Sequence, residues 1–223
     1  MSYYEDTEVS YDLFMSELIP YLPDVPELVV TQAIRNAAIE FCEKTRYLQE
    51  NISNITPIAN IDWYDLGEYI DGTYTVVDII EAWYGDVLLI PKSVEQLTKI
   101  YRANDWQTMQ GQPYYFYRRR NHVMNIVPRP SFTNPLTPMK VLVAKAPTRA
   151  STTIAYPIYE HFLEQICFGA RSRLYGTPGQ PYYDPKAAMD YRKRFFDATN
   201  EVRERVNRGL TRAAVNIEFQ RWT

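Results

Sequence analysis

The sequence predicts an α+β protein, a helical bundle assembled from both ends of the chain with a β-rich module inserted between them. Three observations carry this reading. Helical stripes of apolar residues occupy the stretches near each end. Residues 51–147, between them, hold eight prolines and many β-branched and aromatic residues but no long stripe. The two longest predicted helices are almost equal in length, which places them side by side. The boundaries read as 1–49 and 151–208 for the bundle, 50–150 for the insertion, and 209–223 for a C-terminal docking tail.

Each element has its own signal. Residues 8–22 read as a first helix, with Leu13, Phe14, Leu18 and Leu22 on one face and Pro20 and Pro23 ending it. A second helix starts at Asp24 and Pro26, an acidic cap and a proline in the first turn. Its stripe of Val30, Ile34, Ala37, Phe41 and Thr45 carries it to about residue 48, roughly 35 Å at about 1.5 Å per residue. In the insertion, residues 74–84 and 87–90 flank Gly85-Asp86 as a hairpin, and Asp71-Gly72 marks a tight turn. Residues 114–117 and 123–127 form a second hairpin whose turn carries Arg118, Arg119, Arg120 and Asn121, and residues 139–146 make a further strand. Ser93 and Gln96 have the spacing of a capping box. So many prolines demote strands to edges, which predicts a small sandwich or barrel. Pro157 opens a third helix along Ile158, Phe162, Ile166, Ala170 and Leu174, ended by Gly176. Asp184-Pro185 caps the last one, whose stripe is Ala188, Tyr191, Phe195, Ala198, Val202 and Val206.

The 223 residues are 46% hydrophobic and 14% aromatic, which excludes disorder for the whole chain. No apolar run approaches the length of a membrane span, and the acidic start lacks the apolar region of a secretory signal, so the expected protein is soluble and made inside the cell. Cys42 and Cys167 fall on apolar helix faces and are expected to stay reduced. The net charge of −3 conceals an asymmetry, since residues 1–100 hold 5 Lys or Arg against 18 Asp or Glu, and residues 101–223 hold 19 against 9. Either the two halves serve segregated partners, or the chain ends mix in space and the field averages out.

Catalytic chemistry finds little footing. The two histidines, His122 and His161, fall in different modules and neither adjoins a nucleophile signature. No Cys/His spacing resembles a zinc site, and the eight glycines form no phosphate-cradling loop. The acidic pairs Glu40/Glu43 and Glu201/Glu204 read as solvated helix faces. The expectation is no enzyme, no catalytic residue, no metal and no cofactor. Interaction chemistry is abundant instead: 23 residues are Tyr or Trp, and Tyr114 to Arg120 interleaves aromatics with arginines. Tyr115, Tyr117, Arg118, Arg119 and Arg120 are therefore a candidate contact set on the β-rich module. The same segment could stack bases and pair phosphates, although a pI near 5.5 argues against a dedicated nucleic-acid binder. Beyond residue 208, Leu210, Val215, Ile217, Phe219 and Trp222 are too apolar for a solvated tail.

These residues resemble the head-to-tail adaptor proteins of short-tailed bacteriophages, the group that includes tail tubular protein A. The likeness begins in Ala33-Ile-Arg-Asn-Ala-Ala-Ile-Glu-Phe41-Cys and continues through Pro91-Lys-Ser93, Trp106, Gly111-Gln-Pro113-Tyr-Tyr115 and Ile126-Val-Pro128-Arg-Pro130. It is fullest in Gly169-Ala-Arg-Ser-Arg-Leu174-Tyr and Pro178-Gly-Gln-Pro-Tyr-Tyr-Asp-Pro185, followed by Ala188, Tyr191 and Phe195. The resemblance implies a ring, commonly of twelve copies, beneath the portal in the virion neck, assembled in the host cytoplasm. Neighbours would join through the bundle, the tail would grip the portal, the β-rich module would face a tail nozzle or fibre protein, and double-stranded DNA would pass as cargo through an acidic lumen, with no membrane involved. The portal-docking set is then Leu210, Arg212, Ile217, Phe219 and Trp222. Arg192, Arg194, Arg203 and Arg205 are expected to pair with acidic groups of the same or a neighbouring bundle. A nucleic-acid-binding module, a sugar-binding module or another neck ring such as a stopper are the rival readings.

Overall fold

The computed structural model describes residues 7–22, 25–101 and 104–209. In chain order, strand β1 (Glu8–Ser10) and two 3-10 segments (Tyr11–Glu17 and Ile19–Tyr21) precede helix α1 (Glu27–Thr45). Strands β2 (Gln49–Ile55), β3 (Trp63–Asp65), β4 (Tyr74–Tyr84), β5 (Val87–Leu88) and β6 (Ile90–Pro91) follow, with a 3-10 turn at Leu66–Tyr69. Helix α2 (Val94–Tyr101) and a 3-10 turn (Asn104–Gln107) lead to β7 (Gln110–Gly111), β8 (Tyr115–Arg120), β9 (Val123–Val127) and β10 (Arg129–Pro130). Strands β11 (Met139–Pro147) and β12 (Thr153–Ala155) come before helices α3 (Tyr156–Tyr175) and α4 (Pro185–Asn207). Contacts divide the chain into two compact units, residues 1–47 with 155–223 and residues 48–154. The fold is α+β, with a helical bundle drawn from both ends and a β-rich insertion between them.

In the helical unit, α3 packs against both α1 and α4, which also meet each other. What allows this is Gly169: a Cβ built there would stand 2.8 Å from Ala37 Cβ on α1 and 2.9 Å from Phe195 Cε2 on α4, so only hydrogen fits where three helices converge. The predicted stripes are the buried faces, Val30, Ile34, Ala37, Phe41 and Thr45 on α1, and Ile158, Phe162, Ile166, Ala170 and Leu174 on α3. Asp184 Oδ1 caps α4 by accepting from the amides of Lys186 and Ala187, both at 3.0 Å, with Pro185 in the first turn. Three expectations need correcting. Helix α1 opens at Glu27 with Pro26 as its N-cap residue and no side-chain cap, not with Pro26 in the first turn, and Asp24 lies outside the described residues. Helix α1 stops at Thr45 and not near residue 48, because Arg46 turns left-handed at φ 54 and returns its amide to Cys42 O. Residues 8–22 form no α-helix but a strand followed by 3-10 turns. Pro20 has no amide to give to Ser16 O, which an α-helix there would require, while the three-residue step from Tyr11 to Phe14 suits 3-10 winding; both side chains are buried and Leu13 stays exposed.

In the β-rich unit, two four-stranded sheets run β2-β11-β4-β5 and β3-β9-β8-β6. Strand β11 is central to the first, antiparallel to both neighbours, and buries Val141, Val143 and Ala146. The β4–β5 hairpin turns on Gly85 at φ +58, and the turn at Asp71 closes with Tyr74 N–H on Asp71 O. At Leu89 the chain changes sheets: the Leu89 amide bonds to Ala82 O in the first, and the Ile90 amide to Tyr114 O in the second. Helix α2 begins with the reciprocal capping box, Ser93 N–H on Gln96 Oε1 at 3.0 Å and Gln96 N–H on Ser93 Oγ at 3.2 Å.

Candidate functional site

Two places concentrate interaction chemistry, one in each unit. The first is on the sheet β3-β9-β8-β6. Strand β8 runs through Arg120, so the three arginines lie on the strand and the turn falls at Asn121 and His122, contrary to the shorter strand expected. Arg118 explains the extension. Its Nη1 donates to Asp78 Oδ1 at 2.8 Å and to Val77 O at 3.1 Å on β4, tying the two sheets together, and its Nη2 donates to Asn121 O. The β8–β9 register then shifts between Arg118 and Arg120, a bulge with one residue too many on β8. Bulges re-aim side chains, and here Arg119 and Arg120 both line one cleft of about 450 Å³.

The tyrosines of the same segment are used differently. Tyr117, only 4% exposed, packs with Leu97, Trp106 and Val127, its ring edge-on to Trp106 at 5.5 Å. Burial pushes its phenol above the ordinary range. Tyr115 is half-buried against Tyr101. Together with α2 these residues cover one end of the sheet face and leave the other end open as the cleft. Its far wall is Asp62, Trp63 and Asp65. Asp62 lies 3.6 Å from Arg129 Nη2, and Asp65 accepts from Gly67 N–H at 2.9 Å and lies 3.8 Å from His122 Nε2.

The second place is Glu40 on α1, whose side chain is only 16% exposed. It corrects the reading of Glu40 as part of a solvated face. Arg192 on α4 grips the carboxylate with two bonds, of 2.8 and 2.7 Å, Lys44 donates from one turn on at 2.5 Å, and Arg173 on α3 donates as well. Arg173 also reaches Asn36 O and Gly169 O, so one carboxylate joins three helices. Burial raises the carboxyl pKa, but the hydrogen bonds from Arg192, Lys44 and Arg173 outweigh it and hold the group down at about 2. Acidic and basic halves of the sequence therefore mix inside this unit.

The other predicted arginines of α4 behave singly. Arg194 pairs with Asp190 at 2.9 Å and Arg205 with Glu201, each one turn away, while exposed Arg203 has no ion-pair partner among the described residues. Arg171 was not singled out by the sequence. It is 8% exposed, donates to Glu17 O, and lies over the rings of Tyr21 at 4.2 Å and Tyr191 at 5.4 Å, fastening the 3-10 segments to α3 and α4. Its only sequence signal is its place in the Gly169-to-Tyr175 motif. Leu210, Arg212, Ile217, Phe219 and Trp222 lie outside the described residues. Among the described residues, no group of three or more His, Cys, Asp or Glu side chains could hold a metal ion, and no helix is long and apolar enough to cross a membrane.

Ion-paired helices, a charged aromatic cleft and exposed apolar side chains such as Leu28, Met189 and Phe196 are the materials of a protein-binding scaffold. A family model described as SU10 adaptor protein matches residues 9–216, and the chain belongs to that family. The match runs through both units and agrees with the adaptor resemblance carried by the sequence motifs. A search of the curated proteins found no match. The family supports a structural role as a phage adaptor.

Proposed function

We propose that this protein is a ring-forming head-to-tail adaptor of the virion neck, which joins a portal to a tail and surrounds the passing DNA without chemical turnover. The observation that carries the reading is the adaptor-family match over residues 9–216, which takes in the helical and β-rich units alike. In this reading the helical unit forms the contacts between copies. The exposed face of α4, with Met189, Phe196 and Arg203, which has no ion-pair partner among the described residues, offers the mixed apolar and charged surface that such contacts use. Arg192 borders that face, Arg194 and Arg205 lie on the opposite flank of α4, and all three, paired within the chain, meet acidic groups of a neighbour. Residues 209–223 are the portal-docking tail, through Leu210, Arg212, Ile217, Phe219 and Trp222, and the β-rich unit faces the nozzle or fibre protein. A ring of twelve is the expected copy number, with assembly in the host cytoplasm.

The test is to mix the purified chain with its portal ring and image the product by negative-stain electron microscopy, with mass photometry for stoichiometry. A second layer of about twelve copies is expected, and it should vanish on truncation after residue 209. A chain that never adds to the portal, or adds equally well when truncated, would overturn the reading.

A further inference from the structure

We propose that the cleft beside Arg119 and Arg120 is a binding site for an extended acidic peptide segment of a partner protein. Asn125 occupies the middle of β9. Register places Trp63 of β3 opposite it on one side and Tyr117 of β8 opposite it on the other, so an amide sits between two aromatics across three paired strands. Asparagine is a poor strand former, and a buried central position calls for an apolar side chain. Asn125 is nonetheless 6% exposed there.

Its amide is half used. Asn125 Nδ2 donates to Asp62 Oδ2 at 3.5 Å, while Oδ1 has no partner among the described residues. Exchanging the two atoms would turn Oδ1 onto the Asp62 carboxylate, so this orientation stands. On the same floor Arg129 Nε also lacks a partner. The cleft thus holds one acceptor in need of a donor and one donor in need of an acceptor. A peptide group supplies an N–H and a C=O together. A phosphodiester supplies acceptors only.

Charge and shape narrow the ligand further. Asp62 and Asp65 are engaged by Arg129 and Asn125, and by Gly67 and His122. Arg119 and Arg120, both exposed and both aimed at the cleft by the bulge, have no carboxylate partner among the described residues. They call for acidic side chains. Trp63, 55% exposed, offers a flat apolar wall on β3. That strand is outermost in its sheet, so its open edge can pair with an extended backbone. Asn125 Oδ1 and Arg129 Nε are closed to solvent, so binding as proposed requires side chains at the rim to change rotamer.

The experiment is a titration of the ¹⁵N-labelled full chain, read at the side-chain amide of Asn125 and the indole of Trp63. The probe is a capped hexapeptide of alternating leucine and aspartate, compared with its leucine–asparagine counterpart, a short oligogalacturonate and a short oligothymidylate. The acidic peptide should shift both signals saturably, and the asparagine peptide should bind about tenfold more weakly. Replacing both exposed arginines (Arg119→Ala with Arg120→Ala) should cost about tenfold for the acidic peptide and leave the asparagine peptide unchanged. Absence of a saturable shift, equal binding of the two peptides, or tighter binding of the sugar or the oligonucleotide at Asn125 overturns the proposal. A chain that layers onto the portal yet fails this titration refutes the cleft alone.

Discussion

Replacing Glu40 by glutamine keeps the shape of the side chain and removes the charge on which Lys44, Arg173 and Arg192 converge. The fall of the Glu40 pKa from 4.5 to about 2 sets a ceiling of about 3 kcal/mol on what ionisation contributes to the folded state. Two of the cations face water, Lys44 at 38% and Arg192 at 48% exposed, and solvent screening brings the expected loss to about 1–2 kcal/mol. For a chain of this length that lowers Tm by about 3–6 °C at pH 7. Because the folded pKa lies below the unfolded one, the contribution is complete above about pH 5 and is lost as pH falls toward 2. Wild type and Glu40→Gln should therefore differ at pH 7 and converge near pH 2. Circular dichroism melts across that range measure the difference. A variant within 1 °C of wild type at pH 7, on the order of the assay's error, or a gap that persists at pH 2, would refute the account of Glu40 as a three-helix tie.

Gly169→Ala should destabilise by about 1 kcal/mol, because overpacking against Ala37 and Phe195 costs about 1–3 kcal/mol and better helix propensity returns only about 1; an unchanged or raised Tm would contradict the close approach. Ser93→Ala should remove one arm of the capping box and weaken α2 by about 1 kcal/mol, seen as faster amide exchange confined to that helix. Burial pushes the Cys167 thiol up to about 12 and Cys42 higher still, so neither should react with a thiol reagent at pH 8 until denaturant is added; rapid labelling of the native chain would place one of them at the surface.

Much of the architecture was legible because it rests on local chemistry. A proline one residue after an aspartate reads as the start of α4, and the capping box reads as the start of α2, wherever the rest of the chain goes. Where two windings compete for the same residues the pattern misleads. Phe14, Leu18 and Leu22 fit an α-helix, yet Pro20 and the Tyr11–Phe14 step leave only 3-10 turns. The similar lengths of the second and last helices placed them side by side. They do touch, but α3 also packs on both, because a single glycine lets it in.

The candidate sites divide in the same way. The aromatic and arginine content of residues 114–120 was plain in the sequence. That Arg118 is tied to Asp78, Tyr117 is buried, and Arg119 and Arg120 open onto a cleft was not. Glu40 looked like one more solvated acid on a helix until the fold brought Arg173 and Arg192 to it from 133 and 152 residues away. By itself the sequence determined most of the elements, the caps of α2 and α4 and the α+β order, since periodicity and capping act within a few neighbouring residues. Only the tertiary structure decided which charges meet, which aromatics are spent on the core and which polar atoms go without a partner, because those depend on distances across the fold that no local pattern encodes.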